Sequence, residues 1–270
     1  MQIIFYQWVR SLQILSPKNF GDFFRRFCNR FYYGTKNFLY YFRWFFIFYS
    51  FFFLTFGDLI LKNSSVKVIS FNAGNVAILL INLVLSIIWF FLSIGFLLSI
   101  RRGDGFVDIY YFKSGFVRYL QLWFMLSLFI FFIIYFFLSF GITSYPNAHW
   151  SLGLFMKIFE LIIVFCWLDS NYSFKDLFFT IEKSLNIILY NLAFLFIIFV
   201  FWTLFSWGIL ELEKNIIAAG VFNFFVILKV LLIKYLGFFI DYAVIVALFT
   251  FYSMKKNEIY THSFFEKKDE

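Results

Sequence analysis

The chain of 270 residues is 63% apolar and 27% aromatic, and only 14% of it is charged, against roughly 25% in an ordinary soluble domain. Fifteen acids and 23 bases are too few to clothe a globule of this length in polar surface, so a water-soluble fold is excluded and apolar residues must face lipid. The formal charge of +8 does not point to nucleic acid, because the bases lie beside apolar runs, where anionic headgroups attract them.

Residues 1–38 form an amphipathic N-terminal region with no A-x-A-like cleavage site after the first apolar run, so no cleaved signal peptide is expected. A first membrane-crossing helix is predicted near 39–57, with Arg43 one turn inside it as an anchor to inner-surface phosphates. A second follows near 76–100, where Gly95 and Ser99 form one small-xxx-small pair suited to close helix contact. Arg101-Arg102-Gly103-Asp104-Gly105 lacks the Lys-Ser/Thr of a phosphate-binding loop and reads as a cytoplasmic turn.

The third span is predicted near 119–142 and the fourth near 151–168, the latter carrying Lys157 and Glu160. A fifth is expected near 187–210. The stretch from Ile216 to Met254 is too long for one crossing, and an interfacial or re-entrant piece up to about Tyr235 is expected before a sixth span near 235–253. Lipid offers no partner to the backbone, so these runs must be helical, and the ten-residue alternation of an outer-membrane barrel is absent. The predicted class is all-α and polytopic. A single membrane domain over 1–253 holds about six transmembrane helices in a bundle, with interfacial amphipathic helices on the cytoplasmic side, and a short charged cytoplasmic tail covers 254–270.

Lysines and arginines outside the spans set the orientation. Residues 1–38, 101–118, 169–186 and the tail carry sixteen of them, while the opposite side holds only Lys62, Lys67 and Lys214. By the positive-inside rule both termini lie in the cytoplasm, with the bacterial inner membrane as the expected location.

Three segments share a layout in which an acid leads an amphipathic stretch and a long apolar run then ends in an aromatic residue and glycine. They run from Asp22 to Phe56-Gly57, from Asp108 to Phe140-Gly141 and from Asp176 to Trp207-Gly208, with acid-to-glycine separations of 35, 33 and 32. Each acid is placed to begin a helix on the inner face, where it would accept free amides at the positive end of the dipole.

Ser173-Phe174-Lys175-Asp176, then Glu182-Lys183-Ser184-Leu185-Asn186 and Asn191, and the closing Leu248-Phe249-Thr250-Phe251-Tyr252 before basic residues resemble the YciC-like bacterial membrane proteins. That group is related to the membrane domain found beside some glycerophosphodiester phosphodiesterases. The resemblance covers most of the chain as topology and about 25 residues as sequence, and it implies an architecture more than an activity.

Ionisable groups inside a bilayer cost roughly 2.5–3.5 kcal/mol each, so Lys157, Glu160, Lys234 and Asp241 are the candidate site residues. Lys157 and Glu160, at i and i+3, can pair with each other. Lys234 and Asp241, seven apart, share one helix face. The two cysteines and two histidines, Cys28, Cys166, His149 and His262, form no metal-ligand or nucleophile pattern, so neither metal, cofactor nor catalytic residue is expected. No loop exceeds about 20 residues, which leaves no room for a soluble catalytic domain.

The expected role is therefore non-enzymatic: scaffolding, lipid or envelope association, or binding of other membrane proteins, with the lipid bilayer as the obligatory partner and no nucleic acid. One alternative is a transporter or permease subunit built on the intramembrane charges, among them Lys234 and Asp241. Another, suggested by the 49 phenylalanines alone, is an organelle-encoded subunit of a membrane complex.

Overall fold

The computed structural model describes residues 12–64, 73–100, 113–124, 146–169, 177–219 and 223–256, together with Val9 and Tyr110. Among these residues the fold is all-α. After a short 3-10 turn at Leu12–Leu15, the helices are α1 (Pro17–Ser64), α2 (Ala73–Ser99), α3 (Pro146–Asp169), α4 (Leu177–Tyr190), α5 (Leu192–Ala218) and α6 (Phe224–Lys255). A further helical stretch spans 113–124. Four helical segments, Pro17–Leu61, Val76–Ser99, Leu192–Ala218 and Phe224–Lys255, are long and apolar enough to cross a membrane.

Local chemistry explains the boundaries. The two prolines, Pro17 and Pro146, each open a helix, where the missing N–H would have had no partner and the fixed φ suits the first turn. With no proline or other breaker after Pro17, α1 runs unbroken for 48 residues, or about 72 Å at 1.5 Å per residue. The hydrocarbon core is about 30 Å thick, so much of this helix lies beyond one crossing. An interfacial helix separate from the first span is thus not formed here. Asp22 sits inside α1, not at its start, and its carboxylate takes Arg25 at 3.0 Å and Arg26 at 2.9 Å. It braces the helix surface instead of capping it.

The fifth span divides at Asn191. Its backbone N–H turns to the Ile188 carbonyl at 3.1 Å, a tighter 3-10-like bond, and its side-chain Nδ2 donates to the Ile187 carbonyl at 2.8 Å. The amide side chain thereby satisfies the acceptor that the bend would have orphaned, which lets α4 and α5 meet in the interior. The acid-to-glycine units accordingly differ: the first is one continuous helix, and the third is broken. Asp108, Gly141 and Asp176, like residues 101–105 and most of the third span, lie outside the described residues.

The last helix starts at Phe224, well before Tyr235. Asn223 caps it by accepting the Val226 N–H on its side-chain oxygen at 3.0 Å, and no re-entrant break follows.

Most neighbouring helices run antiparallel, whereas α3 and α6 run parallel, with Phe165 beside Phe249 and Asp169 beside Lys256. α1 packs along α2 and α6, α6 along α5 and α3, and α3 along α4 and α5. Along α1 and α6, the Phe31 ring meets Tyr242, Phe46 meets Tyr235, and Gly57 abuts Ile227, an antiparallel register. Along α1 and α2, Phe38 stacks on Phe96 and Phe45 on Phe91, again antiparallel. Stretch 113–124 opposes α2 through Phe116 on Phe91 and Trp123 on Phe90. In the α5–α6 hairpin, Phe194 meets Phe251 and Glu213 meets Lys234.

Phenylalanine does more in this bundle than fill lipid-facing surface. Phe38 and Phe96 stack with centroids 3.6 Å apart, and Phe238 and Tyr242 of α6 lie 4.1 and 4.3 Å from Phe96. These flat rings let three helices share a seam where Phe38, Phe96 and Tyr242 are fully buried. Elsewhere large apolar side chains stay exposed, among them Trp44, Phe51, Leu80, Phe201 and Phe225. Surfaces of that kind are stable only against lipid or another apolar partner.

A candidate intramembrane charge site

Three of the four candidate residues, Lys157 and Glu160 of α3 and Asp241 of α6, gather around Trp202 of α5 near the helix midpoints. Lys157 is the twelfth of 24 residues in α3, Trp202 the eleventh of 27 in α5, and Asp241 the eighteenth of 32 in α6. The Trp202 indole N–H donates to Asp241 Oδ1 at 2.7 Å. The Lys157 ammonium lies 5.8 Å from the centroid of the same indole ring, within cation–π range. Lys157 also attracts both carboxylates electrostatically, Glu160 from its own helix and Asp241 across the bundle. Tyr119 of stretch 113–124 comes within electrostatic range of Glu160.

The energetics explain the clustering. Three isolated charges in hydrocarbon would cost about 7–10 kcal/mol, comparable to a whole folding stability of about 5–15 kcal/mol. Mutual attraction, the indole bond and the ring face offset that cost. Asp241 is half-buried and Lys157 remains exposed, so the site is not sealed.

Lys234 belongs to a second place. Its Nζ pairs with Glu213 Oε1 of α5 at 3.1 Å and lies 6.0 Å from the Phe53 ring centroid. Lys234 and Asp241 both find partners on α5, so they share the face of α6 turned toward that helix, but each has its own counter-group. Glu213 was not among the sequence candidates. It lies in the Glu211-Leu212-Glu213-Lys214 run, whose two acids near the end of a span were the available signal. Close by, the Tyr235 hydroxyl donates to the Phe46 carbonyl at 3.2 Å and contacts Ser50 Oγ, which itself donates to that carbonyl at 2.8 Å.

A third polar cluster closes the opposite end of the bundle. Lys256 Nζ pairs with Asp169 Oδ2 at 2.5 Å, and Arg30 donates to Ser253 Oγ at 2.6 Å while lying 5.0 Å from the Phe249 ring centroid. These contacts join α1, α3 and α6 where the basic flanks gather. Trp167 of α3 ties in the 113–124 stretch by donating to the Arg118 carbonyl at 3.1 Å.

Both cysteines are free, Cys28 exposed and Cys166 buried. His149 falls in the first turn of α3, and His262 lies outside the described residues. Among the described residues no group of three or more His, Cys, Asp or Glu side chains is placed to hold a metal ion. No family model, curated protein or solved structure matches the chain.

Proposed function

We propose that this chain is a six-span integral membrane protein of the bacterial inner membrane, with both termini cytoplasmic and the architecture of the YciC-like proteins. In this reading it acts without covalent catalysis, as a lipid- or partner-associated component of the envelope. The supporting observation is the direction of the helices, with α1–α2, α1–α6 and α5–α6 antiparallel and α3–α6 parallel. This arrangement brings Arg30, Arg118, Lys183 and Lys256, on four different helical segments, toward one end of the bundle, which supports crossings with a basic inner face. The exposed apolar faces then meet acyl chains or a membrane partner. Gentle solubilisation followed by identification of copurifying lipids and proteins tests the role. A constant partner or lipid is expected, and recovery of the bare chain in random lipid argues against it.

A second reading, a permease subunit, is favoured by one specific observation: Lys157 and Glu160 of α3 and Asp241 of α6 gather around Trp202 of α5 near the mid-length of the three helices. A growth or flux assay on Asp241→Asn tests it, and normal activity at normal protein level counts against transport.

A further inference from the structure

We infer that the outward face of α1 from Lys36 to Phe51 is a docking strip for an anionic phospholipid of the inner leaflet, with its phosphate against Lys36 and Arg43 and an acyl chain along Ile47 and Phe51. The inference rests on the lipid-associated reading above and gives it a place on the molecule and a headgroup charge.

The strip follows from helical spacing. Lys36, Tyr40, Arg43, Ile47 and Phe51 stand at i, i+4, i+7, i+11 and i+15, which is one face of an unbroken helix. All five are exposed, Tyr40, Ile47 and Phe51 by 61%, 54% and 65%. The opposite face is locked into the bundle, where Phe38 stacks on Phe96, Phe46 meets Tyr235 and Tyr49 meets Trp89. α1 therefore cannot turn the strip inward.

The same face changes solvent once along its length. Before Arg43 it carries Lys18, Arg25, Asn29 and Lys36, all exposed, and after Arg43 come Ile47 and Phe51. A headgroup layer is where such a change belongs. Trp44, 67% exposed with the Arg43 guanidinium 5.7 Å from its ring centroid, sits at the level that an interfacial tryptophan takes. Lys36 and Arg43 are two turns apart, about 10.5 Å of rise, and their long side chains can close on one phosphate with the Tyr40 hydroxyl between them. Charge then selects the occupant. No acid lies between Phe23 and Phe46, so the docked head must supply the negative charge, while Ile47 and Phe51 call for a tail. A second copy would oppose bases with bases, and a free phosphate would gain nothing from Ile47 and Phe51.

The experiment is native mass spectrometry of the detergent-purified full chain, titrated with phosphatidylglycerol or with phosphatidylcholine of the same acyl chains. The wild type is expected to hold phosphatidylglycerol at least ~5-fold more tightly, the effect of one basic residue at an anionic surface. Arg43→Gln is expected to weaken phosphatidylglycerol binding about 5-fold and to leave phosphatidylcholine binding unchanged. Arg25→Gln takes the same charge from the same face about 27 Å further along α1 and is expected to change neither. Should Arg43→Gln fail to fold, Lys36→Gln keeps the test, with the same loss expected. Equal affinity for the two lipids, equal effects of Arg25→Gln and Arg43→Gln, displacement of the lipid by glycerol phosphate alone, or a polypeptide held at this face and released by Arg43→Gln overturns the proposal while leaving the membrane reading intact. A chain that stays monodisperse without detergent overturns the membrane reading and this strip with it.

Discussion

Trp202 and Asp241, 39 residues apart, are joined by an indole N–H that meets a carboxylate oxygen at 2.7 Å between the middles of two antiparallel helices. A hydrogen bond to a charged acceptor contributes about 1.5–3 kcal/mol, more than its neutral counterpart, because water is not there to replace it. Trp202→Phe is expected to cost that amount in thermal unfolding. Asp241→Asn keeps an acceptor oxygen and removes the charge, so the two changes together should cost less than their sum. A double-mutant cycle checks this, and strict additivity would show that the bond carries no coupling.

The Lys234–Glu213 pair gives a second expectation. Glu213→Gln leaves the Lys234 ammonium without its counter-charge in an apolar setting and should destabilise by about 2–3 kcal/mol. Glu213→Gln combined with Lys234→Met removes the stranded charge and should recover most of that loss. If the double variant is as unstable as the single, the pair is not what holds α5 and α6 at this level.

Glycines that look alike in sequence should behave differently. Phe56-Gly57 and Trp207-Gly208 end two of the three similar segments, yet a Cβ on Gly57 would collide with Ile227, while one on Gly208 would meet nothing within 4 Å. Gly95 is as confined as Gly57, with the Phe42 ring 2.7 Å from where its Cβ would stand. Gly57→Ala and Gly95→Ala are expected to lose about 1–3 kcal/mol through overpacking. Gly208→Ala should be neutral or gain roughly 0.5–1 kcal/mol from helix propensity. Melting temperatures of the three variants decide the matter, and equal effects would contradict the packing described.

The contrast shows what the sequence makes legible. The second span could be read to within a few residues because no charge interrupts the run from Asn75 to Ser99, and lipid solvation depends on such composition alone. The close contact at Gly95 was likewise visible in its spacing from Ser99, whose hydroxyl now donates to the Gly95 carbonyl at 2.6 Å. The break at Asn191 was hidden, since residues 187–210 are almost uniformly apolar and a single side-chain bond decides where the helix turns. Three of the four charged candidates form one site, but their assembly was out of reach. The bond from Trp202 to Asp241 joins different helices, and helical periodicity reports only on neighbours three or four apart. Lys234 was linked to Asp241 by spacing, and only packing reveals that Glu213 is its partner.

Asn191 itself is testable. It is buried, and Asn191→Ala removes the donor to the Ile187 carbonyl, leaving that oxygen without its side-chain partner. A loss of about 1–3 kcal/mol is expected in thermal unfolding. An unchanged melting temperature would mean that the bend needs no such bond.

Labelling of introduced cysteines in intact cells tests most directly whether the helices thread a bilayer with their basic ends on the inner side. In a background lacking Cys166, the native Cys28, exposed on α1, should react with a membrane-impermeant maleimide only after the cells are opened. Lys214→Cys in a background lacking both native cysteines lies at the far end of α5 and should react in intact cells. Labelling of both positions from the same side would contradict the topology.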